Sequence, residues 1–140
     1  MKTNRRLWPP VILVLLTLGC GQSGPKTYPV AGTVTYQGKP LPLGIVMFVP
    51  NEGPSGKPAA IDEHGRYRLD ATAGEHRVVV VAMPPRQGGR PDPNIEGGYD
   101  YTGVPEAKSL IPKKYNHPGT SGIRAVVKEQ PQNTIDIALE

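Results

Sequence analysis

Seventeen glycines and seventeen prolines in 140 residues leave little room for a helix. Proline removes a backbone donor and collides with the preceding turn, and glycine is costly to order inside a regular element. Beyond residue 20 no stretch places apolar residues at helical spacing over three turns, so almost no helix is expected. Apolar residues alternate instead. In Tyr28–Tyr36, Val30, Gly32, Val34 and Tyr36 fall on one face and Ala31, Thr33 and Thr35 on the other, the pattern of a half-buried strand. Gln37-Gly38-Lys39-Pro40 follows with turn chemistry. Ile45–Val49 is apolar on both faces, which suits an inner strand, and Asn51–Lys57 reads as a loop.

The most specific local pattern is Ala60-Ile-Asp62-Glu-His64-Gly65-Arg66-Tyr67-Arg68-Leu69. Asp62 can cap a hairpin turn through its carboxylate while Gly65 takes a left-handed position. Tyr67 and Leu69 then face inward, and Arg66, Arg68 and Asp70 face water. Ala73-Gly74-Glu75 turns the chain into His76–Ala82, a second inner strand. Ile123, Ala125 and Val127, then Ile135, Ile137 and Leu139, resume the alternation near the C-terminus. The count is six or seven strands in one domain, and the expected architecture is an all-β sandwich. Between them, Met83–Ser121 is broken by repeated Pro and Gly and is expected as one long loop, spanning 84–121, a length that is usually functional or mobile.

The N-terminus carries a different signal. Lys2, Arg5 and Arg6 precede an apolar run ending Thr17-Leu18-Gly19-Cys20, the layout of a secretory signal peptide. Leu7–Leu18 is twelve residues long and contains Pro9-Pro10, whereas spanning a bilayer takes about 20 apolar residues. Cys20, the single cysteine, sits at the cut position, and the segment resembles a bacterial lipobox, with Thr17 at the usually aliphatic place. That resemblance implies residues 1–19 as a lipoprotein signal peptide, Cys20 as the acylated (palmitate-type) membrane anchor, 20–27 as a flexible tether, and 28–140 as the sandwich domain. Gly21 after the cut, rather than Asp, implies a cell-envelope location at the outer membrane by the sorting habit of two-membrane bacteria. Three of the 16 Lys and Arg precede Cys20 and all 12 Asp and Glu follow it, so the remainder carries a net charge of +1. The basic balance of the whole chain therefore gives no case for a nucleic-acid partner.

The order of motifs carries a second resemblance. Val30-Ala-Gly-Thr-Val34 with Gly38-Lys-Pro40, then Phe48-Val49-Pro50, Asp62-x-x-Gly65-x-Tyr67-x-Leu69 and Gly74-Glu-His-Arg-Val78 are similar to the carboxypeptidase regulatory-like family. Ile111-Pro-Lys113-Lys114-Tyr115-Asn-His117-Pro-Gly-Thr-Ser121-Gly122 resembles a segment of small lipoproteins of planctomycete-type bacteria. The implied fold is a seven-stranded transthyretin-like, Greek-key β-sandwich. The implied role is modest, since that family has no settled activity.

Chemistry is sparse. His64 reads as a solvated turn residue and His76 as a packed residue at a strand start. His117, close to Thr120 and Ser121, lacks a Gly-x-Ser-x-Gly elbow nearby. Hydroxyisourate hydrolases of transthyretin-like fold carry a Tyr-Arg-Gly-Ser signature, where this chain has Asp136-Ile-Ala-Leu-Glu140. No His-Glu-x-x-His or cysteine pair is present, and no metal or other cofactor is expected. The expectation is a non-enzymatic binding or structural module that meets the membrane lipid through Cys20. Tyr99, Tyr101 and Tyr115 could form a sticky patch for a glycan, a peptide or an envelope protein, and Lys113, Lys114 and His117 complete the candidate binding set. An accessory subunit whose partner covers exposed strand edges is the other non-enzymatic expectation. Replacing Cys20 with Ala should move the protein from the detergent phase to the aqueous phase in a partition assay. Unchanged detergent partitioning would remove the anchor.

Overall fold

The computed structural model describes residues 24–140; the expected signal peptide and Cys20 lie outside the described residues. The first strand, β1 (Thr27–Tyr36), has Val30 and Val34 fully buried, as the alternation demands. It is followed by β2 (Lys39–Pro40), β3 (Gly44–Pro50), β4 (Ala59–Ile61), β5 (Arg66–Thr72) and β6 (Gly74–Val81). After these come β7 (Arg90–Pro91), β8 (Tyr99–Asp100), a 3-10 helix (Lys113–Asn116), β9 (Arg124–Val127), β10 (Asn133–Thr134) and β11 (Ile137–Leu139). Seven of these strands are three residues or longer. Among the described residues no helix is long and apolar enough to cross a membrane.

Two layers enclose the core. In the first, β1 is flanked on both edges: by β5, antiparallel, and β10, parallel, over its first part, and by β2 and β11 over its last residues. The second is the antiparallel order β4-β3-β6-β9. Val46, Phe48, Val78 and Val80 from the second layer meet Val30, Val34, Tyr67, Ile137 and Leu139 from the first. Each such aliphatic or Phe side chain contributes roughly 1.5–3 kcal/mol on burial. The Phe48 and Tyr67 rings pack at 6.2 Å between centroids. His76, 2% exposed, packs its ring 5.8 Å from Phe48, with Nδ1 at 3.1 Å from the Gly74 carbonyl and Nε2 at 3.3 Å from Thr72 Oγ1.

The Asp62 turn forms as its sequence asks. The carboxylate accepts from the His64 and Arg66 amides at 2.9 and 2.8 Å and from Arg66 Nε at 2.9 Å. These bonds hold the Asp62 carboxyl below its ordinary range. The turn is not a hairpin within one sheet, however. It is the corner at which the chain leaves the second layer at β4 and enters the first at β5, because Gly65 gives its carbonyl to the Val34 amide of β1 at 2.7 Å.

The C-terminal segment closes on β1 through a specific junction. Parallel pairing runs in one register before and after Gly32–Thr33, yet the ladder breaks there. Ile135 donates its amide to the Ala31 carbonyl at 2.9 Å and turns its own carbonyl in over Gly32, where a Cβ would overlap it. Tyr67 donates its hydroxyl to that carbonyl at 2.7 Å, and the Asp136 carboxylate accepts from the Thr33 amide at 2.8 Å. Burial first, and the Asp136 charge second, push the Tyr67 hydroxyl well above the usual phenol range, so it stays a donor. Buried Asn133 completes the seam, binding both backbone groups of Lys128 at 2.9 and 3.1 Å.

The stretch expected as one loop, 84–121, is in fact two unlike pieces. Residues 109–123 run along the edge of β6 that β9 leaves free: Leu110 donates to the Ala82 carbonyl at 2.9 Å and Val78 to the Ile123 carbonyl at 3.0 Å. Ile111 and Tyr115 from this strap enter the core. Residues 83–108 form a separate lobe. Gly32→Ala should lower the urea unfolding free energy by about 3 kcal/mol, the upper end of overpacking effects. Tyr67→Phe should cost about 1–3 kcal/mol by leaving the Ile135 carbonyl unpaired. An unchanged midpoint for Gly32→Ala would contradict the junction.

Candidate functional site

The lobe begins and ends at one carbonyl. Ala82 O accepts from the Leu110 amide at 2.9 Å and from Ser109 Oγ at 3.3 Å, so the excursion leaves the sandwich and returns to the same point. Within it, β7 and β8 pair antiparallel, Arg90 with Asp100 and Pro91 with Tyr99. Two aspartates set the flanking turns by the same device. Asp92 Oδ1 accepts from the Asn94 amide at 2.9 Å, and Asp100 Oδ1 accepts from the Thr102 hydroxyl and amide at 2.6 and 2.8 Å. The Thr102 hydroxyl bond, then its amide, holds the Asp100 carboxyl below its ordinary value of 3.8.

This frame brings Tyr99 and Tyr101 side by side, with ring centroids 6.3 Å apart at an interplanar angle of 37°. Tyr101 is half-buried. The Arg86 guanidinium lies 5.7 Å from its centroid, and Arg86 is itself held by Glu106 at 3.0 Å. Gly89 packs against the same ring so closely that a Cβ there would stand 2.6 Å from Tyr101 Cε1. Tyr99 is left 55% exposed, and Ile95 and Met83 of the same lobe are 58% and 50% exposed. The arrangement offers one supported phenol ring and one largely exposed one beside it, suited to stacking.

The other predicted residues sit elsewhere. Tyr115 leaves the surface set: its ring is 5% exposed in the core, and its hydroxyl donates to the Glu140 carbonyl and accepts from the Glu140 amide, both at 3.0 Å. Its work is to tie the strap to the end of β11. Lys113 and Lys114 are exposed on the 3-10 helix of the strap, with Lys114 Nζ 4.8 Å from the Tyr115 centroid. His117 is exposed, but its Nδ1 accepts from the Gly119 amide at 3.0 Å and its carbonyl accepts from the Thr120 and Ser121 amides. Ser121 is 5% exposed, with Oγ toward the Ile123 amide at 3.4 Å. These groups hold a turn rather than pairing a nucleophile with a base. Among the described residues no three His, Cys, Asp or Glu side chains converge as a metal site would require. Arg86, Gly89 and Glu106 were not foreseen, since nothing in their spacing marks Arg86 and Gly89 as supports for Tyr101, or Glu106 as the partner of Arg86.

No family model matches the chain, and no curated protein matches it. Among solved structures it is similar to a DUF3823 family protein from Parabacteroides merdae ATCC 43184, at 13% identity and a TM-score of 0.42 over 82% of this chain and 46% of that one. The chain thus spans about half the length of that protein.

Gly89→Ala should displace the Tyr101 ring, read as altered aromatic proton shifts, while unfolding free energy stays within about 0.5 kcal/mol. The Asp100 carboxyl is depressed, so its turn is fully formed above the ordinary aspartate value and is lost as pH falls through the lowered one. The Thr102 amide resonance should therefore titrate below 3.8. A midpoint at or above that value would contradict the bond.

Proposed function

We propose that this chain is a lipid-anchored, non-enzymatic binding module of the cell envelope, held at the outer membrane by acylated Cys20 and working through the Tyr99–Tyr101 lobe. The observation that carries the reading is the opposition of tether and lobe. Thr27, where the described chain enters β1, pairs with Thr72 beside the turn into β6, whereas the lobe springs from Ala82 past the other end of β6. A ten-residue β1 rises about 3.3 Å per residue, so the sandwich is a rigid spacer of roughly 30 Å between the two. A chain moored at Cys20 would hold Tyr99 away from the bilayer, facing the envelope.

The finer fold reading belongs with this proposal. We read the sandwich as carboxypeptidase regulatory-like, with transthyretin-like Greek-key topology. Its support is the motif order, seven strands of three residues or longer in two layers, and the first strand paired with the last.

A saccharide is the ligand class that the lobe suits best. The apolar face of a sugar ring stacks on a phenol, and the exposed Tyr99 ring beside Tyr101 offers such a face. An envelope-protein surface is the second reading, favoured by exposed Ile95 and Met83. Tyrosine emission of the purified protein, titrated with soluble envelope oligosaccharides, should change saturably. Tyr99→Ala should weaken binding at least about tenfold, equivalent to 1.4 kcal/mol, and Lys113→Ala should leave it unchanged. Full binding by Tyr99→Ala would sink the lobe as the site.

A further inference from the structure

The two sides of the sandwich are finished differently. Where β6 faces β11, the 109–123 strap closes the gap with backbone bonds and Tyr115. On the opposite side β5 is the edge of its layer, and a cleft of about 470 Å³ runs between it and the 51–58 loop. We infer that this cleft binds an extended acidic peptide by strand addition to β5.

Main-chain geometry supplies the first argument. Ala31 gives its carbonyl to Ile135, so its polar groups face β10 and those of its partner Arg68 face away from β1. Residues alternate along a strand, so the outward-facing groups of β5 belong to Arg66, Arg68, Asp70 and, at the turn into β6, Thr72. Arg66 is satisfied by the corner, its carbonyl taken by the Asp62 amide at 2.9 Å and its amide by the Asp62 carboxylate at 2.8 Å. The amides and carbonyls of Arg68 and Asp70 face an edge on which no strand pairs among the described residues. Unpaired edges of this kind are where extended peptides add.

The side chains supply the second. Leu69, Ala71 and Ala59 line the cleft on its inner side, and Pro54 and Pro58 form the wall contributed by the loop. A strand laid along β5 would direct alternate side chains toward these apolar groups. The intervening ones would lie on the outer face beside Arg68, which makes no ion pair among the described residues, as does Lys57 on the loop. Asp70 is the carboxylate on this rim, leaving the two cations in excess. The occupant is therefore a peptide that alternates apolar and acidic residues. Gly56 stands against the Asp70 carbonyl, a Cβ on it falling 3.9 Å away, and Gly56 ties the loop to Phe48 by one 3.3 Å backbone bond. Entry at Asp70 requires that single bond to yield.

The test uses a fluorescent decapeptide of alternating Val and Glu and its Val–Lys counterpart, titrated into the purified full-length protein. Amide hydrogen exchange over β5 is followed in parallel. The Val–Glu peptide should bind saturably and slow exchange at Arg68 and Asp70, with the Val–Lys peptide at least tenfold weaker. Arg68→Glu should reverse that preference, and Arg68→Lys should keep it. Equal binding of both peptides, no binding of the acidic one, or binding without protection of those two amides would overturn the inference. So would slow exchange at Arg68 and Asp70 in the protein alone, which would mean that a second copy or the chain's own N-terminal segment already occupies the edge.

Discussion

The close approach of Ile135 to Gly32 is the constraint on which the rest of the structure depends. β1 is the longest strand and lies inside its layer, so both of its edges need partners along their length. One partner is β5, near in sequence. The other must come from the last residues of the chain, and it can pair only if the backbone at position 32 carries no side chain. Tyr67 and Asp136 then satisfy the groups that the broken ladder leaves over, one by donating to the Ile135 carbonyl and the other by accepting from Thr33. A carboxylate standing in for a strand carbonyl keeps the register without a regular bond.

From that arrangement the division of labour follows. The sandwich is held by contacts between residues far apart in sequence, so it is cooperative and stiff. The lobe is held by its own turns, by the short β7–β8 pairing and by Arg86, which lies over Tyr101 and pairs with Glu106, so its opening should be local and cost less than unfolding the core. Both ends of the lobe meet at the Ala82 carbonyl, which fixes where it leaves the sandwich and where it returns. The same topology leaves β5 as the edge of its layer, because both edges of β1 are spoken for. The stable junction and the open cleft are two results of one pairing choice.

Much of the sandwich was legible from alternation. Val30 and Val34, Tyr67 and Leu69, Ala125 and Val127, Ile137 and Leu139 all face inward as their spacing predicts. The Asp62–Gly65 turn was legible as chemistry but not as topology, since whether a turn stays within a sheet or changes layer depends on what accepts the neighbouring bonds, here Val34. The 84–121 region misled because Pro and Gly mark the absence of regular structure, not the absence of burial. Ile111 and Tyr115 reach the core one at a time, with no period for a pattern search to find. Of the candidate site, the Tyr99–Tyr101 pair could be read from two residues of like kind with one between. The supports from Arg86 and Gly89 depend on how the lobe folds back on itself, which single-sequence spacing does not encode.

Native-state hydrogen exchange on the full chain tests the central claim most directly. If the meeting of β1 with the C-terminal segment holds the sandwich, the Thr33 and Ile135 amides should exchange only through global unfolding, together with Val34, whose amide bonds Gly65. Gly98, bonded only within the lobe, should exchange far sooner. Exchange of Thr33 and Ile135 at the Gly98 rate, with Val34 still protected, would show that the sandwich stands without the junction.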